Sequence, residues 1–294
     1  MAIFTGAGVA IATPFRQDGS IDYDEFDRLI EYQIENGTDA IIVCGTTGES
    51  ATMTEEEHVQ VVKHCIRRVD HRVPVVAGAG SNATATAVEL SKESEAFGAD
   101  ALLSVTPYYN KGTQDGMVRH FTAVSEAVNI PVIVYNVPSR TGSNISAQSM
   151  AKLVKETKNV RGLKDATGDL AQCAMTMHLC GDALDVYAGN DDVIVPVMAL
   201  GGKGVISVLS NIAPKKTHEI CQEALNGNFA RAGKMQADVM PLVKALFCEV
   251  NPIPVKKGLE LLGFSSMFLR LPLTEMTKEN APLLEKEMKE YGLL

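Results

Sequence analysis

Eight short apolar runs recur along this chain at intervals of about 20 to 30 residues, each closing in turn-forming residues and each followed by a helical pattern. They are AGVAIATPF from Ala7, DAIIVCGTTGE from Asp39, VPVVAGAGS from Val73, ADALLSVTPYY from Ala99, IPVIVYNVP from Ile130, VRGLKDAT from Val160, LDVYAGND from Leu184 and GGKGVISVLS from Gly201. Most are apolar on both alternating faces, as parallel strands covered on both sides must be. A doubly wound open sheet more often uses five or six strands, so eight strand-then-helix units predict an α/β fold of the (β/α)8 or TIM-barrel kind.

The intervening helices carry their own signals. Phe26, Leu29, Ile30 and Ile34 share one helical face, with Asp22 and Glu25 at capping-pair spacing and Gly37 as the stop. Thr54 and Glu57 repeat that spacing ahead of Val59, Val62, Ile66 and Val69, and Met117, Phe121, Val124 and Val128 form a third stripe. From about Gly227 the strand signal ends, and helical patterns run through PLVKALF, NPIPVKKGLELLG and TKENAPLLEKEMKEY. Residues 1–226 are therefore expected to form the catalytic barrel and 227–294 a helical extension packed on it or on a partner subunit, with no linker between them.

A chain of 294 residues suits one barrel plus an extension, and 46% apolar against 21% charged residues supplies a large core. The net charge of −9 is spread along the chain, which argues against nucleic acid or an anionic membrane as partner. Six cysteines without C-x-x-C spacing read as reduced thiols, MAIFTGAGVA lacks the features of a signal peptide, and no run approaches a membrane span. A cytoplasmic enzyme is expected.

A barrel carries its chemistry at the C-terminal ends of its strands. Lys164 lies inside the sixth run with only Gly162 and Ala166 as same-face neighbours. Desolvation favours the neutral amine, which can attack a carbonyl to form a Schiff base; a structural lysine paired with a buried carboxylate is the other reading. Tyr135 on the adjacent run could pass protons to such an adduct or be a core tyrosine with a satisfied hydroxyl. GTTGE, Gly45 to Glu49, offers successive amides and the hydroxyls of Thr46 and Thr47 to a small carboxylate, although the same spacing suits any glycine-bounded turn. Arg140 could clamp a second carboxylate or sit on the surface.

Three other readings fail on position. GAGSNA, Gly78 to Ala83, matches a dinucleotide fingerprint, but Asp100, the acid about 20 residues on, begins the next strand where the ribose-binding acid should end it. None of the six histidines ends a strand, so a zinc-dependent aldolase would lack ligands. Asp191 and Asp192 stand where many barrels bind phosphate, which argues against a phosphorylated substrate.

Taken together, AGVAIATPF, GTTGESAT, TPYYNK, YNVPSRTG, GLKDATG, GVISV and NPIPVK closely resemble the dihydrodipicolinate synthases, pyruvate-dependent Schiff-base aldolases of the N-acetylneuraminate lyase superfamily, over essentially the whole chain. The resemblance implies that Lys164 forms the Schiff base with pyruvate, with no cofactor beyond that adduct and no metal. It implies a proton relay of Thr47, Tyr135 and Tyr109, the last from a neighbouring subunit. Thr46 and the loop amides would hold the pyruvate carboxylate, Gly189 and Ile206 would line the pocket through backbone groups, and Arg140 would receive the carboxylate of L-aspartate 4-semialdehyde. The product would be 4-hydroxy-tetrahydrodipicolinate, at the entry to diaminopimelate and lysine biosynthesis. Sugar-acid lyases such as those acting on N-acetylneuraminate resemble the chain in lysine and tyrosine but usually lack Arg140, and a barrel that only binds pyruvate would not need the full set.

The resemblance also implies a homotetramer built as a dimer of dimers. Ser50, Ala51, His58, Asn82 and Tyr108 resemble a lysine-binding cleft between subunits. Glu55 and Thr86 stand where lysine-sensitive relatives tend to have a histidine and a glutamate, so feedback inhibition by lysine is expected to be weak. Cys44 beside the GTTGE loop is expected to be a small buried hydrophobe.

Overall fold

The computed structural model describes residues 2–294. All eight apolar runs supply strands: β1 (Gly6–Ala10), β2 (Ala40–Val43), β3 (Val75–Gly78), β4 (Ala101–Val105), β5 (Val132–Asn136), β6 (Val160–Asp165), β7 (Asp185–Ala188) and β8 (Gly204–Ser207). Each pairs in parallel with its sequence neighbour, and β8 returns to β1 to close the barrel. The closing seam requires glycine: at Gly204, with φ +152°, a Cβ would fall 1.8 Å from the Gly6 carbonyl oxygen.

Helices follow the strands in turn: α1 (Tyr23–Glu35), α2 (Glu55–Val69), α3 (Thr84–Ala96), α4 (Gln114–Ala127), the single turn α5 (Pro138–Thr141), α6 (Ala147–Glu156), α7 (Leu170–Cys180), α8 (Ile194–Ala199) and α9 (Pro214–Leu225). Thr54 and Glu57 form the full reciprocal capping box at the start of α2. At α1 only half of the expected pair exists. Asp22 accepts from the Glu25 amide, but the Glu25 carboxylate turns to Arg28 and to the amide of Ser265, because the extension packs there and offers an orphan donor. Gly37, at φ +83°, ends α1 as read from the sequence.

Two apolar layers result. Phe4, Ile42, Leu103, Ile133, Tyr187 and Ile206 fill the barrel interior, and a larger set seals strands against helices. The lower end of the barrel is plugged by the N-terminal segment: Phe4 stacks on Tyr187 at 4.3 Å, and the Tyr187 phenol donates to the Phe4 carbonyl at 2.8 Å and accepts from its amide. The opposite, upper end carries a cavity.

The extension comprises α10 (Phe229–Leu246), α11 (Ile253–Leu261) and α12 (Ala281–Glu290), and it packs on the barrel. Beyond α11, Arg270 donates to the carbonyls of Gly19 and Thr52 and pairs with Glu57 at 2.6 Å. The Arg270 guanidinium and the Lys256 ammonium both lie 4.3 Å from the Phe15 ring centre. The extension is thereby fastened to the loops after β1 and β2. Among the described residues, no helix is long and apolar enough to cross a membrane.

Candidate active site

The parallel register places Tyr135 on β5, Lys164 on β6 and Tyr187 on β7 side by side, and the inward alternation of each strand turns all three into the barrel. Tyr187 is spent on the plug below, which leaves Lys164 and Tyr135 above it. Lys164 is 6% exposed, with its ammonium 4.2 Å from the Tyr135 ring centre. Among the described residues it makes no ion pair, whereas the other buried lysine, Lys256, is paired with Glu49. The structural reading of a buried lysine thus describes Lys256 and not Lys164. Burial holds the Lys164 pKa down to about 7, with the Asp191 carboxylate opposing that shift and the Arg140 guanidinium adding to it. A substantial neutral fraction at neutral pH makes it a competent nucleophile.

The Tyr135 phenol is raised by burial, with Arg140 and the Thr46 hydroxyl pulling the other way. It therefore stays protonated and able to give a proton as well as relay one. Asp191, at the head of the turn before α8, accepts from the amides of Val208 and Leu209 at 3.0 and 2.9 Å through one oxygen, while its other oxygen, buried, has no hydrogen-bond partner. Sequence reasoning took Asp191 only as a bar to phosphate; its burial as a carboxylate acting on Lys164 is a product of the β7–β8 packing.

The GTTGE loop is bracketed by two residues in the left-handed region, Cys44 at φ 55° and Glu49 at φ 54°. Inside the bracket the Glu49 amide closes onto the Thr46 carbonyl, and Thr13 donates to the Gly48 carbonyl at 2.8 Å. Among the described residues the amides of Thr46 and Thr47 find no acceptor, so two N–H groups remain for an anion. Cys44 is buried and burial pushes its thiol well above the ordinary value, in keeping with a packing role. The glycines of GAGSNA have a packing reason too: a Cβ at Gly78 would meet the Cys44 carbonyl oxygen at 2.2 Å, and one at Gly80 the Val105 amide nitrogen at 2.4 Å. They let neighbouring strand ends approach and form no phosphate loop.

A cavity of about 510 Å³ opens above the barrel, bordered by Thr46, Tyr135, Arg140, Asn251, His58 and Tyr108 among others. Arg140 is exposed on the cavity rim, its guanidinium donating to the Asn251 carbonyl at 3.4 Å. Lys164 lies behind the Tyr135 ring and not in the cavity wall, and Thr47 turns its hydroxyl to Asn251. Ile206 is sealed in the barrel interior, and Gly189 sits beside the end of β6, its amide donating to the Asp165 carbonyl at 2.7 Å, so neither borders this cavity. A Cβ at Gly189 would fall 2.7 Å from that of Ala166, which explains the glycine.

Tyr109 does not join the others in this single chain. Its backbone is left-handed at φ 71°, and its side chain is 90% exposed. Ser50, Ala51, His58 and Tyr108, with Glu55 and Thr86, all border the same cavity. Asn82 does not border it, and its carbonyl accepts from Asn110 at 3.0 Å. Among the described residues, no group of three or more histidine, cysteine, aspartate or glutamate side chains is placed to hold a metal ion.

Sequence reasoning assigned no role to Asn251, whose amide nitrogen donates to the Thr47 hydroxyl at 3.0 Å, nor to the Glu49–Lys256 pair beneath the loop. The NPIPVK stretch that contains both partners from the extension was visible as a motif, but nothing in one dimension shows that it meets GTTGE.

The model of the Dihydrodipicolinate synthetase family matches residues 3–291. A 4-hydroxy-tetrahydrodipicolinate synthase of Lachnoclostridium phytofermentans is 53% identical over 294 residues, covering all of both chains. The crystal structure of dihydrodipicolinate synthase from Aquifex aeolicus superposes with a TM-score of 0.97 at 45% identity over 99% of each chain. A chloride-inhibited dihydrodipicolinate synthase of Acinetobacter baumannii, solved in complex with pyruvate, gives a TM-score of 0.96 at 42% identity over 99% of each chain.

Proposed function

The chain belongs to the dihydrodipicolinate synthetase family, and from that premise we infer that it is a lyase of the class I aldolase type, condensing pyruvate with L-aspartate 4-semialdehyde to 4-hydroxy-tetrahydrodipicolinate at the entry to diaminopimelate and lysine biosynthesis. The observation that carries the mechanism is a buried lysine without an ion-pair partner, in register with a protonated phenol.

The neutral Lys164 amine attacks the keto carbon of pyruvate, and loss of water from the carbinolamine leaves an imine. Tyr135 supplies and recovers the protons, connected through the Thr47 hydroxyl to Tyr109 of a neighbouring subunit. The Thr46 hydroxyl and the two unbonded loop amides hold the pyruvate carboxylate. Loss of a methyl proton gives the enamine, whose carbon bonds to the aldehyde carbon while the aldehyde oxygen takes up a proton. The amine of the aldehyde substrate then adds to the imine carbon, closes the ring and displaces Lys164. The imine is its own electron sink, so no separate cofactor enters. Arg140 on the rim suits the carboxylate of a short aldehyde. A sugar acid would need hydroxyl-binding groups there instead.

The assembly is a cytoplasmic homo-oligomer, a dimer of dimers in which the dimer is the smallest fully active unit, with Gly189 and Ile206 as backbone neighbours of the adduct. Lysine occupies the cleft formed by Ser50, Ala51, His58, Asn82 and Tyr108 only weakly, since Thr86 offers no charge to its ammonium. A steady-state assay showing strong inhibition at modest lysine concentrations would contradict this.

The function is tested by incubating the protein with pyruvate, reducing with borohydride and mapping the modified peptide by mass spectrometry. A pyruvate adduct on Lys164 that prior addition of L-aspartate 4-semialdehyde depletes is the expected result. An unmodified Lys164 overturns the mechanism.

A further inference from the structure

Thr47 carries one proton and two lone pairs, and as a free rotor it could point that proton anywhere. In this fold it is not free. Asn251, in the turn between α10 and α11, is 5% exposed and donates from Nδ2 to Thr47 Oγ1 at 3.0 Å. An amide N–H can only donate, so one Thr47 lone pair is taken and its proton is turned away from Asn251. The main chain of the same residue accepts from Arg140, and five residues on, Lys256 holds Glu49. One segment of the extension therefore grips the relay hydroxyl, the rim arginine and the end of the GTTGE loop. The Asn251 Oδ1 atom is buried without a partner, so among the described residues the side chain contributes here only through its donor.

We propose that Asn251 is a positioning residue for the reaction: by donating to Thr47 it sets the direction in which the relay passes its proton. The proposal rests on the relay reading given above, and its test separates the two. Asn251→Leu keeps a branched side chain of similar shape and removes the donor, Asn251→Ala removes it with a smaller side chain should the leucine variant not fold, and Thr47→Val removes the relay hydroxyl. Each of Asn251→Leu and Thr47→Val is expected to lower kcat by about tenfold or more with smaller changes in either KM, while pyruvate still traps on Lys164. The Thr47→Val/Asn251→Leu double variant is expected to be no slower than Thr47→Val alone, because the two act through one hydroxyl. Losses that multiply, or an Asn251 variant with full kcat, overturn the inference and leave the relay standing. A Thr47→Val enzyme with full kcat overturns the relay itself, and this inference with it.

Discussion

Among the described residues two lysines are buried, and their surroundings differ in kind. Lys256 has Glu49 beside it and the Phe268 carbonyl to donate to at 2.8 Å; Lys164 has an aromatic face and the field of Asp191 but no ion-pair partner among the described residues. Lys164 was legible because a lysine interrupts an apolar strand pattern, whereas Lys256 sits in a helical pattern where a lysine ordinarily faces solvent, and only the packing of α11 under the loop buries it. With its pKa held down to about 7, the Lys164 amine loses its nucleophilic form below that pH. The initial rate of pyruvate trapping is expected to climb through about pH 7 and level off above it; a flat rate across that range would mean that the amine does not titrate there. The sign for stability follows from the same shift. A lysine depressed in the folded state binds its extra proton in the unfolded chain between the two pKa values, so this position costs stability in full below about 7 and recovers it as pH rises toward 10.5. Lys164→Met is thus expected to abolish trapping yet raise Tm, more at about pH 6 than at about pH 9. A lower Tm at the acid pH would show that the buried amine is better accommodated than its surroundings suggest.

The elements of the barrel were legible almost throughout, since parallel strands buried on both faces leave continuous apolar runs that no surface loop imitates. Their junctions were less so. Whether Glu25 completes a capping box depends on a Ser265 amide some 240 residues away, and whether Gly78 is a phosphate turn or a packing glycine depends on where the Cys44 carbonyl lies. The same holds for the loop after β2, whose left-handed Glu49 also forms an ion pair with the extension. That pair is fully desolvated, so removing one charge leaves the other uncompensated. Glu49→Gln is expected to cost about 3–5 kcal/mol in urea unfolding, well above the effect of breaking the exposed Arg119–Asp115 pair. Equal effects for the two would mean that Lys256 finds another partner or sheds its proton, as its pKa, held down by burial to about 8 against the pull of Glu49, already inclines it to do.

At the scale of the whole molecule, the proposed site calls on a second chain. Tyr109 stands out from the barrel rim with an exposed phenol, and Leu271 on the extension, 79% exposed, is among the apolar side chains left to solvent in the single chain. The apolar helix faces that build a subunit interface look in sequence like those that build a core, so assembly was the least legible level. The proposed relay nonetheless makes a demand that a lone chain does not meet, because Tyr109 borders nothing in its own cavity. If it serves the neighbour, Tyr109→Phe and Lys164→Ala are each inactive as pure proteins but complement each other when mixed. In a mixed dimer, the chain that keeps Lys164 receives Tyr109 from the chain that lacks it, so one of the two sites is whole. Random re-pairing makes about half of the dimers mixed, and with one working site in each the activity regained is about a quarter of the wild-type value. Dissociating the two variants by dilution, mixing them and reconcentrating provides the assay. No recovery, with mixed dimers verified by mass, would place the working phenol within its own chain and reduce the interface to a scaffold.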